Sequence, residues 1–324
     1  MTGDRRLGAD GPSVGALGLG CMGMSWAYAE SQRDDQESAA TIRHALDLGV
    51  TLLDTADVYG MGHNETLVGR AVRGRRQEAV IATKCGLVVS DPVTKTMHRA
   101  GSPAHVHQAA RASLDRLGTS VIDLYYLHRV DERVPIEETW GALAELVTQG
   151  LVRRIGLSEV TVAQAATAHA IHPVSAVQSE FSLWTRDPSG GSDTGDIVGW
   201  CARAGAAFVP FAPLGRGFLT AEIDAGTPFE DTDLRSRLPR FTVPARAANA
   251  AIVDVAQGIA RAHHVTAAQV ALAWVLAQGE HVIPIPGTRQ RRHLDANVAA
   301  VGLALSEEEL SLLDKVPAAT GSRY

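Results

Sequence analysis

The sequence predicts an α/β protein in which strands and helices alternate around a closed (β/α)8 barrel, the TIM-barrel architecture, as a single domain over residues 1–324. Two observations lead to this prediction. Short β-rich apolar runs alternate with longer amphipathic segments along the whole chain, and the short connections between them favour a parallel sheet with crossover helices. A chain of 324 residues with 45% hydrophobic content can also bury a large core, and barrels of this size often form one domain.

Eight apolar runs predict the strands, and helix-start and helix-stop signals predict several of the helices. Four apolar residues at helical spacing followed by Gly49 predict a helix at 35–48. A second helix at 103–117 has Pro103 in its first turn and Gly118 at its end, and a third at 135–147 stops before Gly150. The predicted strands are 15–20, 50–53, 79–83, 121–127, 152–157, 176–178, 206–211 and 282–285.

Two stretches break the alternation and predict long loops. Residues 186–195 are rich in Gly, Ser, Asp and Thr, and residues 219–244 contain several prolines and have no clear period. Loops of this length in a compact domain are commonly functional lids or locally disordered segments. We expect both on the face of the barrel that carries the chemistry, with Phe229 or Phe241 as pocket residues of the second loop.

Charge and composition narrow the class of protein. A net charge of -6 with interspersed arginines argues against a nucleic-acid or anionic-membrane surface. No apolar stretch approaches the roughly 20 residues of a membrane helix, and the N-terminal residues lack the apolar region of a secretory signal. Cys21, Cys85 and Cys201 have no paired metal-ligand spacing and are expected as reduced thiols. These features predict a cytoplasmic protein without metal, membrane or nucleic-acid partners.

A G-x-G-x-x-G motif occurs near the N-terminus, but its context does not fit a Rossmann unit. The motif spans Gly18 to Gly23 and follows a candidate strand. In a dinucleotide-binding unit it should open a helix that holds a pyrophosphate, whereas here the amphipathic helix begins only near Asp34. We interpret the segment as a Gly-rich turn that leads into a pocket-lining loop with Trp26 and Tyr28.

Four reactive side chains occur at the ends of three consecutive predicted strands. Asp54 and Tyr59 follow one strand, Lys84 ends the next, and His128 ends the third. Lysine occurs only three times in the chain, so a lysine at the mouth of a strand suggests that an ammonium is required there. On a barrel, these strand ends meet on the active face.

The four groups together predict proton transfer to a carbonyl substrate. An ammonium beside a phenol favours the phenolate and lowers the pKa of Tyr59, Asp54 can keep Lys84 charged, and a neutral His128 can polarise a carbonyl. This set suits protonation of a developing alkoxide, with the hydride supplied by a cofactor. Singly, such residues are more typical of a helix cap, packing or a satisfied histidine. An aldolase or isomerase that uses Lys84 as a Schiff base is an alternative, and we expect His63 to be a loop residue.

Three further stretches predict an extended anionic cofactor. Gly287, Thr288 and Arg289 follow the last strand and precede a predicted helix at 294–301, where an Arg cluster and backbone N–H groups can bind phosphate. A Gly-rich loop after the seventh strand lets the backbone approach a pyrophosphate. Strands five and six end in polar side chains that can hold an amide. Strand seven ends in an aromatic side chain that can stack on the ring carrying that amide. These loop and strand-end residues are Pro213, Leu214, Gly215 and Gly217, and Ser158, Gln178 and Phe211.

The chain resembles the aldo-keto reductase family over nearly its whole length. The motifs are LGLGCMGMS at 17–25, DTADVYG at 54–60 with NE at 64–65, ATK at 82–84, DLYYLH at 123–128, GLSE at 156–159, PLGRG at 213–217 and IPGTR at 285–289. The resemblance implies a barrel that binds NADPH across its C-terminal face. It implies Tyr59 as the acid, Lys84 and Asp54 as its partners, and His128 as the group that polarises the carbonyl.

The resemblance also implies the remaining contacts and the activity. Met24, Arg292 and Asn297 join the cofactor residues, while Trp26, Tyr28 and Arg129 are expected to contact a small carbonyl substrate. The chain departs from the family pattern at Glu159, Phe211 and His293, where Asn, Tyr and Arg are frequent. We expect NADPH-dependent reduction of an aldehyde or ketone. A non-catalytic or slow NADPH-binding redox sensor is the alternative, and the sequence specifies neither the substrate nor the oligomeric state.

Overall fold

A computed structural model describes residues 3–190 and 193–324, and it contains the predicted barrel. Seven parallel strands pair in chain order, and residues 282–287 fill the eighth position. Single bridges join Val282 and Ile285 to the seventh strand and Gly287 to the first, which closes the ring. The barrel strands are β3 (Leu19–Gly20), β4 (Leu52–Asp54), β5 (Val80–Cys85), β8 (Leu124–Leu127), β9 (Ile155–Ser158), β10 (Ala176–Glu180) and β11 (Ala207–Phe211).

A short hairpin precedes the barrel, and it includes Gly15, the first residue of the strand predicted at 15–20. Strands β1 (Asp4–Arg6) and β2 (Ser13–Gly15) pair antiparallel. Leu7 and Val14 from this hairpin are buried with barrel-interior residues such as Leu52 and Leu124. The first barrel strand therefore begins only at Leu19, because residues 13–15 serve the hairpin.

Helices surround the barrel, with bounds close to those predicted. Asp34 caps the first helix through the N–H groups of Gln36 and Glu37, and Gly118 ends the third in a left-handed conformation. The helix after the predicted phosphate-binding residues begins at Arg291, three residues before the predicted start. His63 begins a helix rather than lying in a loop. The helices are α1 (Asp35–Asp47), α2 (His63–Ala71), α3 (Pro103–Leu117), α4 (Ile136–Thr148), α5 (Val162–Ile171), α6 (Ile197–Ala204), α7 (Val243–His263), α8 (Ala267–Leu276), α9 (Arg291–Ala299) and α10 (Glu307–Asp314).

An additional hairpin that the sequence did not predict follows β5. Its strands are β6 (Leu87–Asp91) and β7 (Thr96–Arg99), which pair antiparallel outside the barrel sheet. The hairpin begins two residues after Cys85, the last residue of β5. It therefore lies at the C-terminal end of the barrel, beside Lys84.

The two predicted loops differ in structure. Residues 191 and 192 of the first loop lie outside the described residues. The second loop contains short 3-10 helices at Leu234–Arg237 and Pro239–Phe241, and α7 begins within its predicted range. Phe241 is buried edge-on against Trp184 and Phe229, so it anchors the loop to the body of the protein. In the described part of the chain, no helix is long and apolar enough to cross a membrane.

Candidate active site

Asp54, Tyr59 and Lys84 form one buried cluster at the C-terminal ends of β4 and β5. The Nζ atom of Lys84 lies 2.6 Å from Oδ1 of Asp54, 2.7 Å from the carbonyl oxygen of Thr55 and 3.4 Å from the Tyr59 hydroxyl. Lys84 has no solvent exposure. Parallel pairing of Asp54 with Ala82, two residues before Lys84, brings the two strand ends together.

Burial and charge set the protonation states of this cluster. Burial lowers the pKa of Lys84, but the neighbouring Asp54 and Tyr59 outweigh it and raise that pKa, so Lys84 is an ammonium. Burial raises the pKa of Tyr59 above its usual value, although the charge and hydrogen bond of Lys84 act to lower it. The expected lowering by Lys84 is therefore present, but burial of the phenol outweighs it. Tyr59 is a protonated phenol at neutral pH.

His128 follows β8 and faces the same cluster. Its ring meets that of Tyr59 edge-on, with 6.0 Å between ring centroids. Burial, with the charges of Arg129 and Lys84, holds the pKa of His128 well below its usual range, so the imidazole is neutral. Its Nδ1 atom is buried and has no hydrogen-bond partner among residues 3–190 and 193–324. A neutral imidazole keeps one N–H donor, which can polarise a carbonyl oxygen.

The groups expected to hold an amide lie on the next two strands. Gln178 is buried and donates from Nε2 to Oδ2 of Asp54 at 2.7 Å, which links this end of the face to the catalytic cluster. The Ser158 hydroxyl accepts a hydrogen bond from Arg129 at 3.2 Å. Phe211 is half-buried at the end of β11. Gln178 is therefore bonded to the partner of Lys84, and Ser158 is linked through Arg129 to the backbone carbonyl of His128.

Glu159, which replaces the frequent Asn, is engaged by the protein itself. It has a left-handed φ of 53°, and its carboxylate forms a 2.8 Å ion pair with Arg323 near the C-terminus. The same carboxylate accepts the backbone N–H of Glu180 at 2.8 Å.

The Gly-rich loop after β11 turns sharply through two left-handed glycines, with φ of 57° at Gly215 and 96° at Gly217. A Cβ at Gly215 would lie 2.8 Å from the Trp184 ring, so only glycine fits there. Pro213 and Leu214 lead into this turn. Arg216, which the sequence analysis did not single out, is buried and pairs with Glu180 at 2.7 Å.

The phosphate end brings together some of the predicted residues. Gly287 bridges to Gly20, and the Thr288 hydroxyl accepts the backbone N–H of Gln290. Arg289 is half-buried and donates to the carbonyl of Ala29, whereas Arg292 is exposed and donates to the side chain of Gln290. Met24 is buried in a 3-10 helix that follows β3, and Asn297 is buried in α9.

Two cations at the phosphate end were missed by sequence reasoning. Burial and the charges of Arg33 and Arg235 lower the pKa of Arg289, which places three guanidinium groups within range of one another. The Nε and Nη2 atoms of Arg33 are buried and have no hydrogen-bond partner in the described part of the chain. Arg33 precedes a helix cap in a polar run, so nothing in the sequence pattern distinguishes it from a solvated charge. Buried, unpartnered guanidinium donors are suited to an anion.

The three expected substrate residues occupy different positions. Trp26 is half-buried and packs against an apolar cluster around Tyr59 to which Met22, Leu87 and Val89 contribute. Tyr28 lies instead against the Gly-rich loop, where its hydroxyl accepts a hydrogen bond from Arg216 at 3.4 Å. Arg129 lies between His128 and Ser158. The unpredicted hairpin reaches this region, because Lys95 lies 5.3 Å from the centre of the Trp26 ring and pairs with Glu30.

Comparison with known proteins identifies the family of this chain. The model of the Aldo/keto reductase family matches residues 16–318. The chain is 43% identical over 323 residues to "Probable aldo-keto reductase 1" of Glycine max, covering 98% of this chain and 91% of that protein. This chain therefore belongs to the aldo/keto reductase family, whose members are oxidoreductases.

Solved structures of relatives share the fold. A glycerol dehydrogenase from Gluconobacter oxydans superposes with a TM-score of 0.85 at 30% identity, over 96% of this chain and 94% of that chain. An aldo/keto reductase from Klebsiella pneumoniae, solved in complex with NADP and acetate, gives a TM-score of 0.72 at 27% identity and covers 98% of both chains. The barrel prediction is therefore confirmed, and the G-x-G-x-x-G segment belongs to a barrel rather than to a Rossmann unit.

Proposed function

We propose that this protein reduces an aldehyde or ketone to an alcohol by hydride transfer from NADPH, with Tyr59 as the general acid. The observation that carries the proposal is the buried cluster in which Lys84 contacts both Asp54 and the Tyr59 hydroxyl, at 2.6 and 3.4 Å. Such a cluster supplies a proton at a fixed point on the active face. Family membership and the NADP complex of the Klebsiella relative support NADPH as the cofactor.

The residues of the active face fit an extended dinucleotide. Bound NADPH supplies the hydride. Ser158 and Gln178 are polar groups at the amide end, and Phe211 offers a ring face beside them. At the other end, the unpartnered Nε and Nη2 atoms of Arg33 and the adjacent Arg289 suit a phosphate. We assign the 2′-phosphate to this pair.

The catalytic residues then act on the substrate oxygen. Neutral His128 donates a hydrogen bond to the carbonyl and polarises it. The Tyr59 hydroxyl, protonated because burial raises its pKa, transfers its proton to the oxygen as negative charge develops there. Lys84 stabilises the resulting phenolate across 3.4 Å, and Asp54 keeps Lys84 charged and oriented.

Tyr59→Phe tests the assignment. We expect NADPH-dependent reduction of a panel of aldehydes to fall by about 100-fold or more, because general-acid transfer is lost. The dissociation constant for NADPH, followed by protein fluorescence, should not change. Tyr125→Phe is the matched control, since it removes a buried hydroxyl from β8 on a residue that packs among the helices.

The same assay distinguishes enzyme from sensor. Normal turnover by Tyr59→Phe would remove this residue from the mechanism. A wild-type protein that binds NADPH tightly and reduces no member of the panel would favour the regulatory alternative.

A further inference from the structure

Arg129 is an unpaired cation beside the catalytic residues, whereas the other charged groups around it are neutralised. Lys84 pairs with Asp54, Arg216 with Glu180, and Arg323 with Glu159, at 2.6, 2.7 and 2.8 Å. Arg129 forms no ion pair with any carboxylate that the structure describes. Arg129 is therefore an uncompensated positive charge beside His128 and Ser158.

The protein uses only one nitrogen of this guanidinium. Nη1 of Arg129 donates to the carbonyl of His128 and, at 3.2 Å, to the hydroxyl of Ser158. These bonds fix the side chain between the carbonyl-polarising residue and the amide-binding residue. A guanidinium has five N–H donors, and those on Nε and Nη2 have no acceptor among the residues the structure describes. The residue is half-buried, so these donors are partly desolvated without a partner.

Apolar side chains also pack around Tyr59. A small cluster consists of Ala56, Val58 and Tyr59, and four apolar residues pack around it: Met22, Trp26, Leu87 and Val89. Leu87 and Val89 come from the β6–β7 hairpin. A carbonyl placed at Tyr59 and His128 would therefore have both hydrocarbon and a free guanidinium near it. This combination selects for a substrate with an apolar body and an anionic group.

We propose that Arg129 is a specificity-determining residue that binds a carboxylate of the substrate, so that the preferred substrates are oxo acids or aldehydes carrying a carboxylate. The inference rests on the proposed function and defines the class of substrate for the same site. A guanidinium can bind a carboxylate through two parallel N–H···O bonds, and such contacts are stronger when partly desolvated. Arg129 then holds the substrate while Tyr59 and His128 act on its carbonyl oxygen.

The test compares 4-formylbenzoate with methyl 4-formylbenzoate, which share the reacting aldehyde and differ in charge. The measured quantity is the ratio of their kcat/KM values in wild type, Arg129→Met and Arg129→Lys. Losses that affect both aldehydes cancel in this ratio. We expect it to fall by about 10- to 100-fold in Arg129→Met, in line with the strength of a charge-assisted contact, and to be partly restored by lysine.

Arg99→Met is the matched control, because Arg99 ends β7 and pairs with the exposed Glu132 at 2.7 Å. Its ratio should equal that of wild type.

An unchanged ratio in both Arg129 variants would overturn the inference. Arg129 would then be a residue that positions Ser158, and changed NADPH binding by the variants would reveal that role. If wild type reduces neither aldehyde, nor any other carbonyl compound, the proposed function itself fails. If Arg129→Met does not fold, the lysine variant and the ionic-strength dependence of the wild-type ratio give the same decision, since only a charge contact weakens with salt.

Discussion

Lys84 combines three contacts that a compact ammonium can make at once. Its Nζ lies between a carboxylate, a backbone carbonyl and a phenol, at distances of 2.6 to 3.4 Å, and the side chain has no solvent exposure. A planar guanidinium is larger and directs its donors in a fixed fork. We therefore expect the cluster to require lysine, although the chain otherwise uses arginine for nearly all of its positive charge.

We predict that Lys84→Arg loses nearly as much activity as Lys84→Met, about 100-fold or more, because a guanidinium cannot occupy this space and support the Tyr59 phenolate. Steady-state reduction of a neutral aldehyde measures this. Lys95→Arg, on the β6–β7 hairpin, is the control and should retain the exposed pair with Glu30. Near-normal rates for Lys84→Arg would show that charge alone is needed at this position.

The phosphate end gives a second prediction at the scale of single residues. Arg33→Ala and Arg289→Ala should each weaken NADPH binding by about 10- to 100-fold and leave NADH binding almost unchanged, because only NADPH carries the 2′-phosphate. Titration with both cofactors measures this. Arg291→Ala is the control, since that guanidinium pairs with Glu37 at 3.2 Å. Equal weakening of both cofactors would assign the cluster to the pyrophosphate, and no weakening would leave it a solvated turn.

At the scale of elements, the long loop after β11 is joined to the loop after β3. The backbone N–H of Leu234 donates to the carbonyl of Ala27, and Oδ2 of Asp233 accepts the N–H of Ala29 at 3.1 Å. Arg235 holds the Asp233 carboxylate at 2.8 Å, and the carboxylate is buried. These contacts connect the two loops above the predicted cofactor face.

We predict that Asp233→Ala detaches the loop without unfolding the barrel, because it leaves the N–H of Ala29 and the guanidinium of Arg235 without their acceptor. Limited proteolysis should then cleave the variant within residues 220–242 several times faster than wild type. The melting temperature of the variant should stay within a few degrees of the wild-type value. Asp231 is exposed in the same loop, so Asp231→Ala is the control and should be cleaved at the wild-type rate. Identical cleavage of all three proteins would mean that the Leu234–Ala27 hydrogen bond and the packing of Phe241 hold the loop without Asp233.

Elements with a strong period were predictable, and elements fixed by tertiary contacts were not. The helix at 103–117 was predicted residue for residue, because Pro103 and Gly118 mark its ends. The β6–β7 hairpin was missed because its strands are short and mostly solvated, so they lack a buried face that would reveal alternation. The catalytic candidates were predictable from their positions at strand ends. Arg33 and the dominance of burial at Tyr59 depend on neighbours distant in sequence.

At the scale of the whole molecule, the half-buried carboxyl of Asp57 links stability to pH. Burial and the nearby carboxylate of Glu65 raise the pKa of Asp57 to about 8. The folded protein therefore keeps a proton on Asp57 that the unfolded chain has released above about pH 4. Since the folded state binds more protons in this window, stability is lost as pH rises from the unfolded to the folded pKa.

We predict that the free energy of unfolding of wild type, relative to Asp57→Asn, falls between pH 5 and pH 8 by up to about 1.4 kcal/mol per pH unit. The asparagine does not titrate but can still accept the N–H of Val58, which Asp57 accepts at 2.7 Å. Denaturant unfolding at a series of pH values measures the difference, and other titrating groups cancel in it. A difference that is constant with pH would mean that Asp57 is ionised in the folded protein.

The scarcity of lysine gives this protein a natural site for selective amine labelling. Of the three lysines, Lys84 is sealed in the barrel, Lys315 is exposed at the end of α10, and Lys95 is at the tip of the β6–β7 hairpin beside Trp26. An acylating reagent at modest pH can therefore modify only two side chains to any extent. Lys315 serves as an internal standard, and the modification of Lys95, read by peptide mass, reports the exposure of the hairpin tip beside Trp26 without any engineered probe.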